Sequence, residues 1–495
     1  MDYISTRNNS CKVNAAQAIV RGISRDSGLF VPENLPRLSP GDFMALLEMN
    51  YTGRAADILS RFLSGFTGEE IIAGAQAAYS SGKFGSGNPA PIVKLDGGVR
   101  MLELWHGPTC AFKDMALQLL PHLLTASARR EADGKEVIIL AATSGDTGKA
   151  ALEGFKNVPG TRILVFYPHD GVSEVQKLQM TAQDGANVAV MGVYGNFDDS
   201  QTGVKNIFTD TDLNAKLAEK GMMFSSANSI NWGRLAPQIV YYISAYLDLV
   251  NIGDISMGDR INVCVPTGNF GNILAAYYAR EMGLPVGKLI CASNENRVLA
   301  DFLSSGTYDR RRELVMTTSP SMDILISSNL ERLLFDLCGK DSEAVRSMMD
   351  DLSDKGTYTV PAAIKTRLDR EFWGGFCTGA DAMSAIKTTF EEQGYLMDTH
   401  TAVALDVHKR YIRETGDRTK TIIASTADPY KFAPSILTAL TGQAGDEDEF
   451  VQIEKLHAIT KRKVPVQIME LKDKPVRFNE SVSKENLKSV LSFLF

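Results

Sequence analysis

Glu136-Val137-Ile138-Ile139-Leu140-Ala141-Ala142-Thr143-Ser144-Gly145-Asp146-Thr147-Gly148-Lys149 changes character halfway along. The first half is a β-branched, apolar run of strand length. The second half is a loop of small residues that opens a helix. A strand, a tight loop and a helix in that order are the start of a βαβ unit, in which backbone N–H groups at the helix entrance face an anion. A nucleotide phosphate loop, G-x-x-x-x-G-K-[ST], is not met, because Thr143 stands where glycine is needed and Ala150 where serine or threonine is needed. The loop therefore reads as a carboxylate or phosphate cradle, or as a plain Asp/Thr helix cap.

Working outward, similar runs recur at Arg162 to Tyr167, Asn187 to Met191, Ile261 to Val265, Lys288 to Cys291 and Lys420 to Ala424. Helical stretches lie between most of them, which predicts an α/β fold with parallel sheets covered by helices on both faces. A long helical pattern from Leu235 to Leu249 separates the third run from the fourth. Two parallel-sheet lobes are expected, with the ligand between them at the carboxyl ends of the strands. Residues 1–95 read as an N-terminal, mainly helical domain, with helices at Val13 to Ile23, Gly41 to Met49 and Gly68 to Tyr79. The expected division continues with a large lobe from 96–130 and 236–440, carrying a helical insertion at about 330–400. A small lobe takes 131–235 and a C-terminal extension 441–495. Gly445-Asp446-Glu447-Asp448-Glu449 reads as a solvated acidic loop.

The 495 residues are 44% hydrophobic and 22% charged, ordinary for a globular chain with sizeable cores. A formal net charge of -7 argues against nucleic acid or an anionic membrane as the main partner. The six cysteines are scattered, so neither a disulfide framework nor a structural zinc site is expected, and a reducing, cytoplasmic setting is. No secretory signal or membrane span is expected either. Six histidines include no H-x-x-x-H pair, and no metal is expected.

Two further motifs carry chemistry. Trp105-His106-Gly107-Pro108-Thr109-Cys110-Ala111-Phe112-Lys113-Asp114 leads into an apolar helical pattern through Met115, Leu119, Leu120, Leu123 and Leu124. A lysine at a helix start meets the positive end of the dipole, which favours a neutral, nucleophilic amine. Schiff-base chemistry needs such an amine, although a surface lysine packed by its stem is the plainer reading. Pro266-Thr267-Gly268-Asn269-Phe270-Gly271-Asn272 follows the Ile261 to Val265 run and makes a second anion cradle. Two cradles and one helix-start lysine fit an enzyme that holds an anionic cofactor and an anionic substrate, without naming either.

Together these motifs resemble the threonine synthases, fold-type II pyridoxal-phosphate enzymes related to tryptophan synthase β. The resemblance extends to Tyr3-Ile4-Ser5-Thr6-Arg7, Asn228-Ser229-Ile230-Asn231-Trp232-Gly233-Arg234, Ser319-Pro320-Ser321-Met322-Asp323-Ile324, Asp398-Thr399-His400-Thr401-Ala402-Val403 and Ala424-Ser425-Thr426-Ala427. Its N-terminal part is similar to the bacterial and fungal branch. The resemblance implies that Lys113 binds pyridoxal 5'-phosphate as a Schiff base. It further implies that Gly268, Asn269, Phe270 and Asn272 hold the cofactor phosphate, and that Thr426 meets the pyridine nitrogen. The implied reaction, the last step of threonine biosynthesis, turns O-phospho-L-homoserine and water into L-threonine and phosphate. Ser144, Asp146 and Thr147 would receive the substrate carboxylate, and Asn231 and Arg234, with Lys149 behind them, its phosphate. His106 would shape the cofactor pocket. A phospholyase releasing 2-oxobutyrate and phosphate is the alternative outcome, and either a monomer or a homodimer is compatible with the sequence.

Overall fold

In the computed structural model every residue is described except 81, 86, 144, 170, 171, 196, 209, 446, 447 and 495, together with the side chains of 197, 198, 205 and 492–494. Two sheets dominate. The larger has six strands in the order Phe372–Phe376, Val286–Ser293, Ile261–Pro266, Thr421–Ser425, Val99–Glu103 and Ile92–Lys94. All its pairings are parallel except the last, where Ile92–Lys94 runs antiparallel at the edge. The smaller has five parallel strands in the order Ser481–Ser483, Val188–Tyr194, Thr161–Pro168, Glu136–Ala142 and Met222–Ser226. The six expected runs are all strands. Their inner members are buried on both faces, which is why they read as continuous apolar runs.

Five strands of these two sheets escaped the pattern, the antiparallel edge strand Ile92–Lys94 among them. Val99–Glu103 carries Arg100 and Glu103, and Met222–Ser226 ends in two serines. Phe372–Phe376 lies inside the stretch expected to be mainly helical, and Ser481–Ser483 lies inside the C-terminal extension. The N-terminal region also holds a small antiparallel sheet of Tyr3–Ser5, Asn8–Val13 and Phe30–Pro32 beside its helices.

Trp232–Asn251 is the central helix, and nearly every residue on it is buried. Asn231 caps it by accepting from the Gly233 N–H. The reading of 445–449 as a solvated loop needs correction. Asp446 and Glu447 lie outside the described residues, Asp448 caps the Glu449–Thr460 helix, and Glu449 is buried. Its carboxylate accepts from the Val175 N–H at 3.0 Å, at the entrance of the Glu174–Thr181 helix, where the dipole favours an anion.

Candidate active site

The carboxyl ends of strands from both sheets converge on one pocket. Thr143 to Thr147 follows Glu136–Ala142, Thr267 to Phe270 follows Ile261–Pro266, and Thr426 follows Thr421–Ser425. Lys113, Thr147, Arg234, Gly268, Asn269, Phe270, Asn272 and Thr426 all face it.

Lys113 stands at the entrance of a four-residue helix, Asp114–Leu117. The amphipathic pattern after it is not one helix. Pro121 lacks an N–H and sits in the first turn of a second helix, Leu120–Glu131, so the chain turns at Gln118 and Leu119. The loop before Lys113 is pinned from both sides. Phe112 N–H donates to the Thr426 carbonyl at 2.8 Å, and Asp428 N–H donates to the Cys110 carbonyl at 3.1 Å. Asp114 is fully buried and accepts from Thr109 N–H and Thr109 Oγ1 at 2.8 and 2.7 Å. Burial pushes its carboxyl up to about 6, against those two hydrogen bonds.

The Lys113 Nζ lies 3.3 Å from Asp146 Oδ2 and 3.4 Å from Ser321 Oγ. Burial lowers its affinity for a proton, Asp146 opposes that, and the charges of Lys431 and Arg234 lower it further. Asp146 is itself buried, which alone would raise its pKa. Lys431, at 2.6 Å, and Lys113 outweigh burial and hold it well below the usual carboxylate range. Gln176 Nε2 donates to the same carboxylate at 3.1 Å.

The loop after Ile261–Pro266 is shaped as an anion cradle. A Cβ on Gly268 would lie 2.7 Å from the Ser321 carbonyl, so only glycine passes there. Phe270 has φ of 63°, a left-handed conformation costing a non-glycine residue about 1–3 kcal/mol, and it turns the chain into the Gly271–Glu281 helix. Asn272 Oδ1 accepts from Tyr241 and Tyr242 hydroxyls at 2.7 and 2.5 Å, fixing the amide's orientation. Its Nδ2 is buried with no partner among the described residues. A buried donor left unpaired costs about 1–3 kcal/mol, so this one calls for an acceptor from a bound group. The Thr426 hydroxyl likewise makes no hydrogen bond to the described residues and faces the pocket. Such donors fit a phosphorylated aromatic cofactor anchored through Lys113.

Across the pocket, Arg234 is buried and pairs with no carboxylate among the described residues. It donates to the Ala227 carbonyl at 2.9 Å and to Thr147 Oγ1 at 3.4 Å. Burial pushes the guanidinium down to about 10. A desolvated cation with neutral partners is a receptor for an anion.

Not every expected residue reaches the wall. Asn231 is fully buried and its side chain is spent on structure, donating to the Ile19 and Ser226 carbonyls at 3.0 and 2.8 Å. Lys149 points away, pairing with Glu153 at 3.2 Å and with Gln183. His106 stacks on Trp105 and bonds Glu103 at 2.8 Å instead of lining the pocket. Ser144 lies outside the described residues. Asp146 faces the pocket, but both its oxygens are engaged by protein donors.

Reading the sequence missed Lys431, Gln176, Ser321 and His400. The last two stand within quoted motifs that received no role. His400 Nε2 accepts the Ser321 N–H at 3.2 Å, so its proton sits on Nδ1 and is donated to Asp398 at 3.0 Å. Lys431 carried no signal, because one lysine in a short turn looks the same buried or exposed.

Three family models match in order along the chain, described as threonine synthase N terminus over residues 2–79, pyridoxal-phosphate dependent enzyme over 87–426, and threonine synthase, C-terminal, over 401–491. Human threonine synthase-like 1 is 42% identical across 88% of this chain, which spans only 60% of that longer protein. The threonine synthase of Pseudomonas aeruginosa is 38% identical, covering 90% of this chain and 91% of its own length. Among solved structures, PLP-bound threonine synthase from Brucella melitensis superposes with a TM-score of 0.87 at 35% identity, covering 100% of this chain and 98% of its own. The yeast enzyme gives 0.88 at 31% identity, covering 99% of this chain and 98% of its own. The chain belongs to the threonine synthase family of pyridoxal-phosphate-dependent enzymes.

Proposed function

We propose that this protein binds pyridoxal 5'-phosphate covalently through Lys113 and converts O-phospho-L-homoserine and water into L-threonine and phosphate. The observation that carries the reading is a buried amine set between two anion receptors. One is the Gly268, Asn269, Phe270 and Asn272 cradle with its orphaned amide, and the other is the unpaired guanidinium of Arg234.

The cradle would hold the cofactor phosphate, and the Thr426 hydroxyl would be available to the ring nitrogen. When bound, the cofactor supplies electron withdrawal that makes protons on neighbouring substrate carbons labile. The chain supplies the rest. Backbone N–H groups at the entrance of the Asp146–Phe155 helix receive the substrate carboxylate, with the Thr147 hydroxyl beside them. Arg234 holds the substrate phosphate, and its fixed fork places the leaving group. The Lys113 Nζ, freed as an amine, takes the proton from Cα and serves the adjacent carbons from the same position. One Cβ–H proton is lost as phosphate departs from Cγ with the Cγ–O bonding pair. Hydroxide from water then bonds Cβ, protons delivered to Cα and Cγ complete threonine, and the remaining proton leaves on phosphate. With its six cysteines free of disulfides, the protein suits a reducing cytoplasm. Among the described residues no helix is long and apolar enough to cross a membrane.

Products formed from phosphohomoserine by the purified, cofactor-loaded protein test the reading. Threonine and phosphate in equal amounts are expected. Phosphate with 2-oxobutyrate and no threonine would assign a phospholyase instead.

A further inference from the structure

Asp146 sits between two amines at unequal distances. The Lys431 Nζ is 2.6 Å from Oδ1, and the Lys113 Nζ is 3.3 Å from Oδ2. Lys431 is completely enclosed and also donates to the Thr109 carbonyl at 3.1 Å. The other charged or titratable groups facing this cluster are Arg234, His400, Asp114, Cys110 and Asp428. Asp428 is taken by Arg462 at 2.8 Å, and Asp114 by Thr109. Asp146 is thus the one carboxylate among the described residues that pairs with either lysine. A single carboxylate cannot balance two ammonium groups in a buried site that also holds Arg234, so one lysine gives up its proton. The pair with the shorter contact, whose amine also has the Thr109 carbonyl as an acceptor, is the charged one.

We infer that Lys431 is the standing counter-ion of Asp146, a positioning residue that leaves Lys113 as the uncharged, nucleophilic amine. Without Lys431, the Asp146 carboxylate has only Lys113 to neutralise it and draws the proton there. The repulsion between the two lysines is lost at the same time. Both effects hold Lys113 protonated to higher pH. No function is assigned to Lys431 by the reaction itself, which it never touches.

The inference rests on Lys113 being the cofactor lysine, and the test separates the two. Full-length protein stripped of cofactor is mixed with pyridoxal phosphate between about pH 6 and pH 10, and the rate of growth of its visible absorption band is followed. Only the neutral amine attacks the aldehyde, so the midpoint of the rate profile reports the Lys113 proton. Lys431→Met is expected to move that midpoint upward by about one pH unit, about tenfold slower uptake at neutral pH. Lys431→Arg, which keeps the charge, is expected to follow wild type. A Lys431→Met profile that superimposes on wild type, or an equal shift in Lys431→Arg, overturns the inference and leaves the Lys113 reading intact. Wild type that takes up no cofactor sinks both. Should Lys431→Met fail to fold, the double variant Lys431→Met/Asp146→Asn decides. Recovery of folding identifies the lost counter-ion as the fault, and continued failure assigns Lys431 a packing role and overturns the inference.

Discussion

Arg234 has two neutral partners inside the pocket, the Ala227 carbonyl and the Thr147 hydroxyl. A charge-assisted hydrogen bond to a bound anion is worth about 1.5–3 kcal/mol, so Arg234→Lys, which keeps charge but loses the fork, is expected to raise KM for phosphohomoserine by about 10- to 100-fold. Steady-state kinetics check this, and an unchanged KM would remove Arg234 from the substrate site. Asp146 makes a different kind of prediction. Its carboxyl is held below its unfolded value, so the stability it contributes is complete above about pH 4 and is lost as pH falls through the folded value. Asp146→Asn should therefore flatten the acid limb of the stability profile. It should also cost about 3–5 kcal/mol near neutrality, because Lys431 is left buried and unpaired. Denaturant midpoints measured across pH will show whether both changes occur together. At this scale the sequence was only partly legible. Arg234 and Asn231 stand three residues apart in one motif, yet one faces the pocket and the other caps the helix that carries it. Asparagine does either job, and only backbone geometry decides between them.

Elements were easier to read than their breaks. The Gly68–Tyr79 helix lies where its apolar spacing predicts, and the strand Glu136–Ala142 ends where the apolar run gives way to small residues. The short edge strand Phe372–Phe376 was hidden because Gly374 and Gly375 remove the β-branched signature. The turn between the two helices after Lys113 was hidden because its cause, Pro121, lies inside a run with intact helical spacing. That turn frees the Leu117 carbonyl, and Gly154 of the Asp146–Phe155 helix packs onto it. A Cβ there would lie 2.1 Å from the oxygen. Gly154→Ala is expected to destabilise the fold by about 1–3 kcal/mol and to weaken cofactor retention, since the displaced helix carries Lys113 at its entrance. Thermal unfolding together with cofactor titration tests this. Wild-type values for both would mean that the contact is slack.

At the scale of the whole molecule, the C-terminal segment ties the two lobes together. After the Glu449–Thr460 helix, Arg462 pairs with Asp428 beside the large sheet. Farther on, Arg477 N–H donates to the Thr181 carbonyl, and Ser481–Ser483 joins the small sheet beside Val188–Tyr194. Leu487 then packs on Gly203, in the helix Phe197–Phe208 that lines the pocket with Gln201, Val204 and Phe208. Deleting residues 475–495 removes Leu487, Val490 and Leu491, each worth about 1.5–3 kcal/mol when buried, and uncovers the apolar face they cover, including Met191, Val193 and Val204. The truncated protein should melt earlier and exchange amide hydrogens faster along Val188–Tyr194, and unchanged protection there would show that the segment is dispensable. This strap also imposes an order of assembly. Gly192 meets its neighbour Ser481 only after 289 further residues have been added. Until then one border of the small sheet is open, and closing it carries a large loop-closure cost late in folding. A nascent chain therefore presents an unpaired strand edge until Ser481–Ser483 emerges, and that short strand is what removes the aggregation hazard.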